Sequence, residues 1–314
     1  MPFYTGTANS FADLRTALFN ACVTEGWTLT GEILTKGTAA VKVEVNTVST
    51  ANKGIGLLLQ GGTSISGSAL VNPSPTTPRF GPPQTGATQP SWPMEYKIHI
   101  NNSPDEIYFI AKFNVDFYYW LAFGLSDVPG LAATGMWLSA ICNANAGGGA
   151  GSISCTTTGG GGSALSTGCI FWDTSQATVA SAHLSQDAIA SGLDSVVWAG
   201  NPLFAGQTAK HAVSAILASE TLLSVQPNTW NSEAPLNRIQ VFQWRDADKC
   251  SLVADLKNAR YVRVDNYSPG QIINLGGDSW MIYPFYRKNT TTRNGGSGIE
   301  HTGTFGWAIR YDGP

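Results

Sequence analysis

The stretch that follows Pro93 constrains the fold more than any other part of the sequence, because it contains three apolar runs with the two-residue period of β-strands. The first run alternates apolar and polar residues: Tyr96, Lys97, Ile98, His99 and Ile100. After a dense turn sequence (NNSPD, 101–105), the alternating apolar residues of the second run are Ile107, Phe109, Ala111 and Phe113. A third run covers residues 117–121. We predict a three-stranded antiparallel meander in which His99 faces solvent.

One helix is predicted near the N-terminus. Its apolar stripe, at helical spacing, consists of Phe11, Leu14, Leu18 and Cys22. Ser10 stands where an N-cap is expected, and Asp13 falls in the first turn, where a carboxylate favours the helix dipole. Gly26 is a typical residue at which such a helix ends.

Composition extends the β prediction to most of the chain. Of 314 residues, 35 are Gly and 16 are Pro, and 12% are charged, against a typical ~25%. Gly adopts positive φ and Pro presets φ, so this mixture favours short strands joined by turns. Later strands are predicted at 238–244, 261–265, 271–275, 280–287 and 305–311. The predicted fold class is mainly β with a short N-terminal helix, that is, an α+β N-terminal region and an antiparallel, β-sandwich-like body.

Three segments are predicted along the chain. Residues 1–70 combine the helix with a small antiparallel sheet, in which apolar residues alternate from Val41 to Val45. Residues 71–93 form a Pro-rich arm or linker, since repeated Pro removes backbone donors and favours extended chain. Residues 94–314 form a β-rich body with a Gly-rich loop at 147–162, and this body is either separate from 1–70 or one domain with it.

Charge and hydropathy exclude two classes of partner. The net charge is −3 and there is no dense run of Lys or Arg, so we predict no nucleic-acid binding. No run of about 18 apolar residues occurs, so we predict no membrane-spanning helix. The five cysteines show no metal-type spacing and are expected to be buried free thiols, with one local bridge among 142, 155 and 169 as the alternative.

The residues that usually carry catalysis do not form a recognisable constellation. Ser64 lies in a sequence that misses the spacing of a nucleophile elbow. Neighbouring carboxylates occur at 105–106 and 246–248, and His301 follows Glu300, but such groups are common in turns and polar loops. We therefore predict that the protein is not an enzyme and has no catalytic residues, cofactor or metal.

Two features are candidate protein interfaces. The low charge and the aromatic content of 11% are typical of surfaces that pack against other proteins. Consecutive aromatic residues on a strand point to both faces, so the run at 118–120 needs a second layer, supplied by the same chain, a neighbouring subunit or a bound sugar. The candidate interface residues are Pro73, Pro75, Pro78, Phe80, Pro82, Pro83 and Trp92 in the Pro-rich segment, and Tyr118, Tyr119 and Trp120 in the aromatic run.

Several stretches resemble virion structural proteins of tailed bacteriophages. They are 3–37 (FYTGTANSFADLRTALFNACVTEGWTLTGEILTKG), 96–126 (YKIHINNSPDEIYFIAKFNVDFYYWLAFGLS), 130–137 (GLAATGMW), 280–288 (WMIYPFYRK) and 303–313 (GTFGWAIRYDG). The resemblance implies a structural subunit of the tail tip or baseplate, assembled in the host cytoplasm into the virion. Its implied partners are other virion proteins and copies of itself, in a ring or other multimer. Neck, collar and head-decorating proteins have a similar composition and remain alternatives.

Two other functions remain open. The first is a receptor- or glycan-binding tail module, in which Tyr118, Tyr119 or Trp120 stacks on a host-surface sugar. The second is a hydrolase acting on the cell envelope, which requires a working carboxylate pair.

Overall fold

The computed structural model of the chain describes residues 1–48, 54–74, 77–82, 90–125, 136–141, 235–245, 249–264, 266–288 and 305–313, with the backbone of three short strands at 182–185, 198–200 and 213–214. Within them lie one helix, α1 (Phe11–Thr24), and twenty strands. The first ten strands are β1 Phe3–Ala8, β2 Thr28–Thr30, β3 Ile33–Lys36, β4 Ala39–Asn46, β5 Gly56–Gly62, β6 Ser64–Ser66, β7 Ala69–Val71, β8 Arg79–Phe80, β9 Met94–Asn102 and β10 Asp105–Asn114. The others are β11 Phe117–Leu125, β12 Met136–Ala140, β13 Ala182–Ser185, β14 Trp198–Gly200, β15 Val213–Ser214, β16 Asn237–Arg245, β17 Lys249–Arg263, β18 Ile272–Leu275, β19 Asp278–Pro284 and β20 Phe305–Arg310. The predicted fold class, mainly β with one short N-terminal helix and a body consistent with a β-sandwich, is confirmed.

Helix α1 begins and ends as its sequence predicts. The Asp13 backbone N–H donates to Ser10 Oγ at 3.0 Å, and the N–H of Asn9, the residue before the N-cap, donates to Asp13 Oδ2 at 3.0 Å, so one donor of the first turn and one just before the helix are satisfied. The chain leaves the helix through Gly26 at φ +84°, a conformation that glycine adopts without strain. The predicted apolar stripe is buried, and Cys22 within it is a free thiol whose pKa is raised by burial.

The centre of the molecule is a seven-stranded antiparallel sheet with the order β1-β9-β10-β11-β12-β13-β14. The predicted meander is confirmed as β9, β10 and β11, and its register follows from the turn at Ser103–Pro104, which places Asn102 opposite Asp105. Counting back from that pair, Glu95 lies opposite Lys112. In the β10–β11 ladder, whose register shifts between Lys112 and Asn114, Lys112 lies opposite Tyr118. These three residues thus form a row across three strands.

Layers of this chain cover both faces of the central sheet. On one face lie α1 and a five-stranded sheet (β2-β3-β4-β5-β8), and there Phe80 stacks on Phe109 with ring centroids 5.3 Å apart. On the other face lies a six-stranded sheet (β15-β16-β17-β20-β19-β18), and there the Trp307 ring packs edge-on against Tyr108 and Trp120 at 5.5 and 5.2 Å. Strands β6 and β7 form a separate hairpin. The main core therefore lies on both sides of one sheet.

Coverage of both faces corrects the predicted position of His99. The alternation of Ile98, His99 and Ile100 predicts a half-buried strand with one wet face, but all three residues are buried in β9. The six-stranded sheet covers the face on which His99 lies, and His99 Nε2 is 2.8 Å from the hydroxyl of Tyr283. A strand covered on both faces buries its polar positions together with its apolar ones.

The described part of the Pro-rich segment is folded onto its own chain. Residues 79–80 form β8, which pairs with β5, and Phe80 is fully buried. Around Phe80 the predicted arm or linker is packed against its own chain, because one aromatic side chain inserted between the helix and the central sheet holds an otherwise polar segment in place. The Gly-rich loop at 147–162 lies outside the described residues.

Candidate functional site

The predicted aromatic interface lies almost entirely inside the molecule. Tyr119 stacks on Phe113 with ring centroids 3.8 Å apart, and Trp120 packs between Phe285 and Trp307. Both are fully buried, so their rings are not accessible to a neighbouring subunit or a sugar, and this part of the interface prediction is corrected. The second layer that the run requires is supplied by the chain itself. Tyr118 is buried as well, but it borders the open cleft described below.

The predicted interface residues of the Pro-rich segment divide into buried and exposed positions. Pro78, Phe80 and Pro82 are buried in this chain, which removes them as contact residues, and Pro75 and Pro83 lie outside the described residues. Pro73 is exposed, and Trp92 is 36% exposed while its ring meets the ring of Phe11 edge-on at 5.2 Å. Two predicted residues therefore offer apolar surface.

A further apolar surface lies at the edge strand β18, which ends the six-stranded sheet among the described residues. Ile272 is 46% exposed and Leu275 is 59% exposed. The strand carries no charged residue and is bounded by Gly270 and Gly276, both at positive φ. The sequence predicts the strand itself, but its edge position depends on pairing with β19 and was not predicted.

The even-numbered residues of β10 line the space between the central and six-stranded sheets, which we call the inter-sheet space. Along the strand they are Glu106, Tyr108, Ile110 and Lys112. The first three are buried and Lys112 is partly exposed. The inter-sheet space therefore has a closed end at Glu106 and an open end at Lys112, six residues or about 20 Å apart along an extended strand.

At the closed end, Glu106 is fully buried and its carboxylate accepts four hydrogen bonds. The backbone N–H groups of Lys257 and Asn258 donate at 2.9 and 3.0 Å, the Asn258 side-chain amide at 2.9 Å and the Tyr108 hydroxyl at 3.0 Å. Burial raises the pKa of Glu106 to about 7, although the four donors favour the ionised form. Glu106 thus attaches the backbone of β17 to the central sheet, which is a structural role.

Between the two ends, His99 and Tyr283 form a second buried polar contact. Burial, assisted by the charge of Lys97, lowers the pKa of His99 to about 3, so the imidazole is neutral at pH 7. Burial also holds the pKa of Tyr283 well above its usual value. Neither group is charged at neutral pH, which is the form in which a buried pair costs least.

The open end forms a cleft of about 410 Å³, a volume that includes solvent at its open mouth. The row Glu95–Lys112–Tyr118 forms one side, and Tyr283 and the loop 269–270 form the other. Lys97 is two residues further along β9 than Glu95 and lies on the same face, closer to the closed end. Its ammonium is 5.5 Å from the centroid of the Tyr283 ring. We call this group the open cleft.

The two ammonium groups of the open cleft have no carboxylate partner within 4.0 Å among the described residues. Lys97 Nζ has only Met281 Sδ at 4.0 Å as a hydrogen-bond acceptor in that part of the chain, and burial lowers the Lys97 pKa. Lys97 and Lys112 were not identified as a site from the sequence. A signal was present, because the turn at 103–104 places Glu95 opposite Lys112 and so predicts charged residues at one end of an apolar meander.

Of the carboxylates considered for catalysis, the structure describes only Asp105 and Glu106. Asp105 and Glu106 are successive residues of β10 and so point to opposite faces, and Asp105 forms an ion pair with Lys36 at 2.7 Å. The 246–248 pair, Glu300 and His301 lie outside the described residues. In the part of the chain that is described, no group of three or more His, Cys, Asp or Glu is arranged to hold a metal ion.

No helix among the described residues is able to span a membrane, and the 14 residues of α1 fall well short of the required length. The sequence matches no protein-family model, and a comparison with curated proteins gives no significant match.

Proposed function

We propose that this protein is a structural, non-enzymatic subunit of a tailed-phage virion, in the tail tip or baseplate, that assembles by pairing strands with other copies of itself. The resemblance of residues 3–37 and 96–126 to virion structural proteins supports the particle assignment. The uncharged edge strand β18 supports the mode of assembly and is the observation that carries it. A neck, collar or head-decorating position is the alternative within the same class.

An edge strand offers unpaired backbone donors and acceptors to any other strand. Monomeric proteins usually protect such edges with Lys, Pro, a bulge or a covering segment. Strand β18 has the sequence IINL and exposes Ile272 and Leu275, so it lacks both charge and Pro. Pairing with a second strand satisfies the backbone and buries the two apolar side chains.

A second copy of this chain fits the edge without any further requirement. Antiparallel pairing about a two-fold axis at Asn274 sets Leu275 opposite Ile273 of the partner subunit, so the exposed Leu275 gains an apolar cross-strand neighbour. Cross-strand apolar pairs of this kind contribute roughly 0.2–1 kcal/mol each beyond the backbone bonds. The interface is therefore small, and we expect it to form a symmetric building block that other virion proteins complete.

The test of the assembly mode is sedimentation velocity of the full chain over a range of concentrations. We expect the wild type to form dimers or higher multimers and the double variant Ile272→Lys/Leu275→Lys to sediment as a monomer, because charge on an edge opposes pairing. Val23→Lys is the control, since Val23 is 47% exposed on helix α1. A monomeric wild type, or a double variant as associated as the control, contradicts strand pairing at β18.

The particle assignment has its own test. Mass spectrometry of purified particles from the phage that encodes the chain is expected to detect the protein in a fixed ratio to the other virion proteins. Its absence from intact particles removes the assignment, whatever its oligomeric state in solution.

The alternative of a glycan-binding tail module rests on the open cleft, since Tyr119 and Trp120 are fully buried. Tyr118 is the one residue of the predicted aromatic run that borders an open surface. Binding to a glycan array, or competition with adsorption to host cells, supports this alternative, and silence in both removes it.

A further inference from the structure

We propose that the open cleft binds a small hydroxylated monocarboxylate, such as a uronic acid, through the ammonium groups of Lys97 and Lys112. This inference concerns ligand binding by one chain, and it does not depend on the proposed assembly through β18.

The first reason is the unpaired charge. Lys97 is half-buried, and Lys112 is partly exposed on the neighbouring strand. Neither ammonium has a carboxylate within ion-pair distance among the described residues, whereas the comparable Lys42, on β4, lies 3.8 Å from Glu32 and 3.7 Å from Glu44. A half-buried cation without an acceptor is unfavourable, and an anion placed between the two groups relieves both.

The position of Lys97 is also fixed by its surroundings. Its ammonium lies over the ring of Tyr283, and the backbone at Gly270 runs so close that an added Cβ there would lie 2.9 Å from Lys97 Nζ. Gly270 has φ +80°. The loop thus forms a wall behind the ammonium, which is held at the side of the cleft rather than being free in solvent.

The charge of the cleft selects among anions. Two lysines and Glu95 give a net charge of +1 at neutral pH, which matches a monoanion. Glu95 repels a dianion such as phosphate, while its carboxylate accepts hydrogen bonds from ligand hydroxyls. The Tyr118 hydroxyl adds a further polar group on the same side. This combination fits a carboxylate that is carried on a hydroxylated frame.

The experiment is an isothermal titration of the full chain with D-glucuronate as the probe. Acetate, D-glucose and inorganic phosphate are the comparison ligands. We expect glucuronate to bind with a Kd of about 1 mM or tighter, the range typical of a ligand of this size. Acetate is expected to bind more weakly, and glucose not at all. A peptide with a single Glu distinguishes a polypeptide carboxylate from a sugar acid, and tighter binding of that peptide overturns the assignment to a sugar acid.

Variants locate the site. Lys97→Met and Lys112→Met are expected to weaken glucuronate binding about tenfold or more, because each removes a charge-assisted hydrogen bond. Lys42→Met, which removes a lysine paired on another sheet, is expected to bind like the wild type. Glu95→Gln is expected to strengthen phosphate binding. The proposal is overturned if the wild type does not bind glucuronate, if glucose binds equally well, or if the Lys97 and Lys112 variants match the Lys42 control.

Discussion

Each end of the inter-sheet space contains charged side chains, but the two ends differ in whether the chain itself supplies partners for them. At the closed end, the Glu106 carboxylate accepts four hydrogen bonds, all from groups of this chain. At the open end, Lys97 and Lys112 have no carboxylate within 4.0 Å among the described residues. Both ends lie on the same face of strands β9 and β10. The difference therefore comes from what the six-stranded sheet places opposite each residue.

At the closed end, β17 contributes two backbone N–H groups and the Asn258 amide, so a buried carboxylate becomes a fixed point between layers. At the open end, the loop at 269–270 and Tyr283 contribute a wall and an aromatic ring but no acceptor oxygen at hydrogen-bond distance from Lys97. Polar residues that the chain itself satisfies serve the fold. Charged residues that it leaves unsatisfied beside a cleft are candidates for binding.

The largest expected effect is at the closed end. Glu106→Ala leaves two backbone N–H groups, one amide and the Tyr108 hydroxyl without their acceptor in a dry site, and we expect it to lower the free energy of unfolding by about 4 kcal/mol. Asp278→Asn is the control, because the Asp278 side chain is 43% exposed in its ion pair with Arg310 and should contribute about 1 kcal/mol or less. Urea unfolding monitored by Trp fluorescence measures both. Equal losses in the two variants would contradict a structural role for Glu106.

The next effect is on the pH dependence of stability. The pKa of His99 is lowered to about 3, so its contribution is present above about pH 6.5 and is lost as pH falls. The pKa of Glu106 is raised to about 7, so its contribution is present below about pH 4.5 and is lost as pH rises toward 7. Between pH 5 and 6.5 these two contributions change in opposite directions by about 2 kcal/mol each and nearly cancel.

Variants separate the two titrations. His99→Gln leaves the Glu106 contribution alone, so its stability should rise relative to the wild type as pH falls from 6.5 to 5. Glu106→Gln leaves the His99 contribution alone, so its stability should fall relative to the wild type over the same range. Urea midpoints at half-unit pH intervals measure the difference. Parallel pH profiles for the wild type and both variants would show that neither group is perturbed by burial.

What the sequence predicts well here is local. Helix α1 follows from Ser10, Asp13 and the apolar stripe, which lie within one another's reach on a single helix. The meander follows from alternation, and its register follows from the turn at 103–104. The pairing of Glu95 with Lys112 was therefore predictable, but Tyr118 joins that row only through a register shift between Lys112 and Asn114 that alternation does not show.

What the sequence does not predict depends on contacts between distant parts of the chain. His99 is buried by Tyr283, 184 residues further along, and alternation on β9 carries no information about that cover. The same holds for Trp120, which pattern reasoning leaves open to a neighbour or a sugar until Phe285 and Trp307 are placed against it. The open cleft needs both kinds of information, since one side is a local row and the other is a distant loop.

The smallest expected effect is the change in stability caused by Lys97→Met, and it tests the comparison between the closed and open ends most directly. This change keeps most of the side-chain volume and removes only the charge. If the open end is kept for binding, the free energy of unfolding at pH 7 should stay within about 0.5 kcal/mol of the wild type or rise, because an unpaired, half-buried cation is removed. A loss of more than about 1 kcal/mol would mean that Lys97 supports the fold as Glu106 does, and would contradict the division between the two ends.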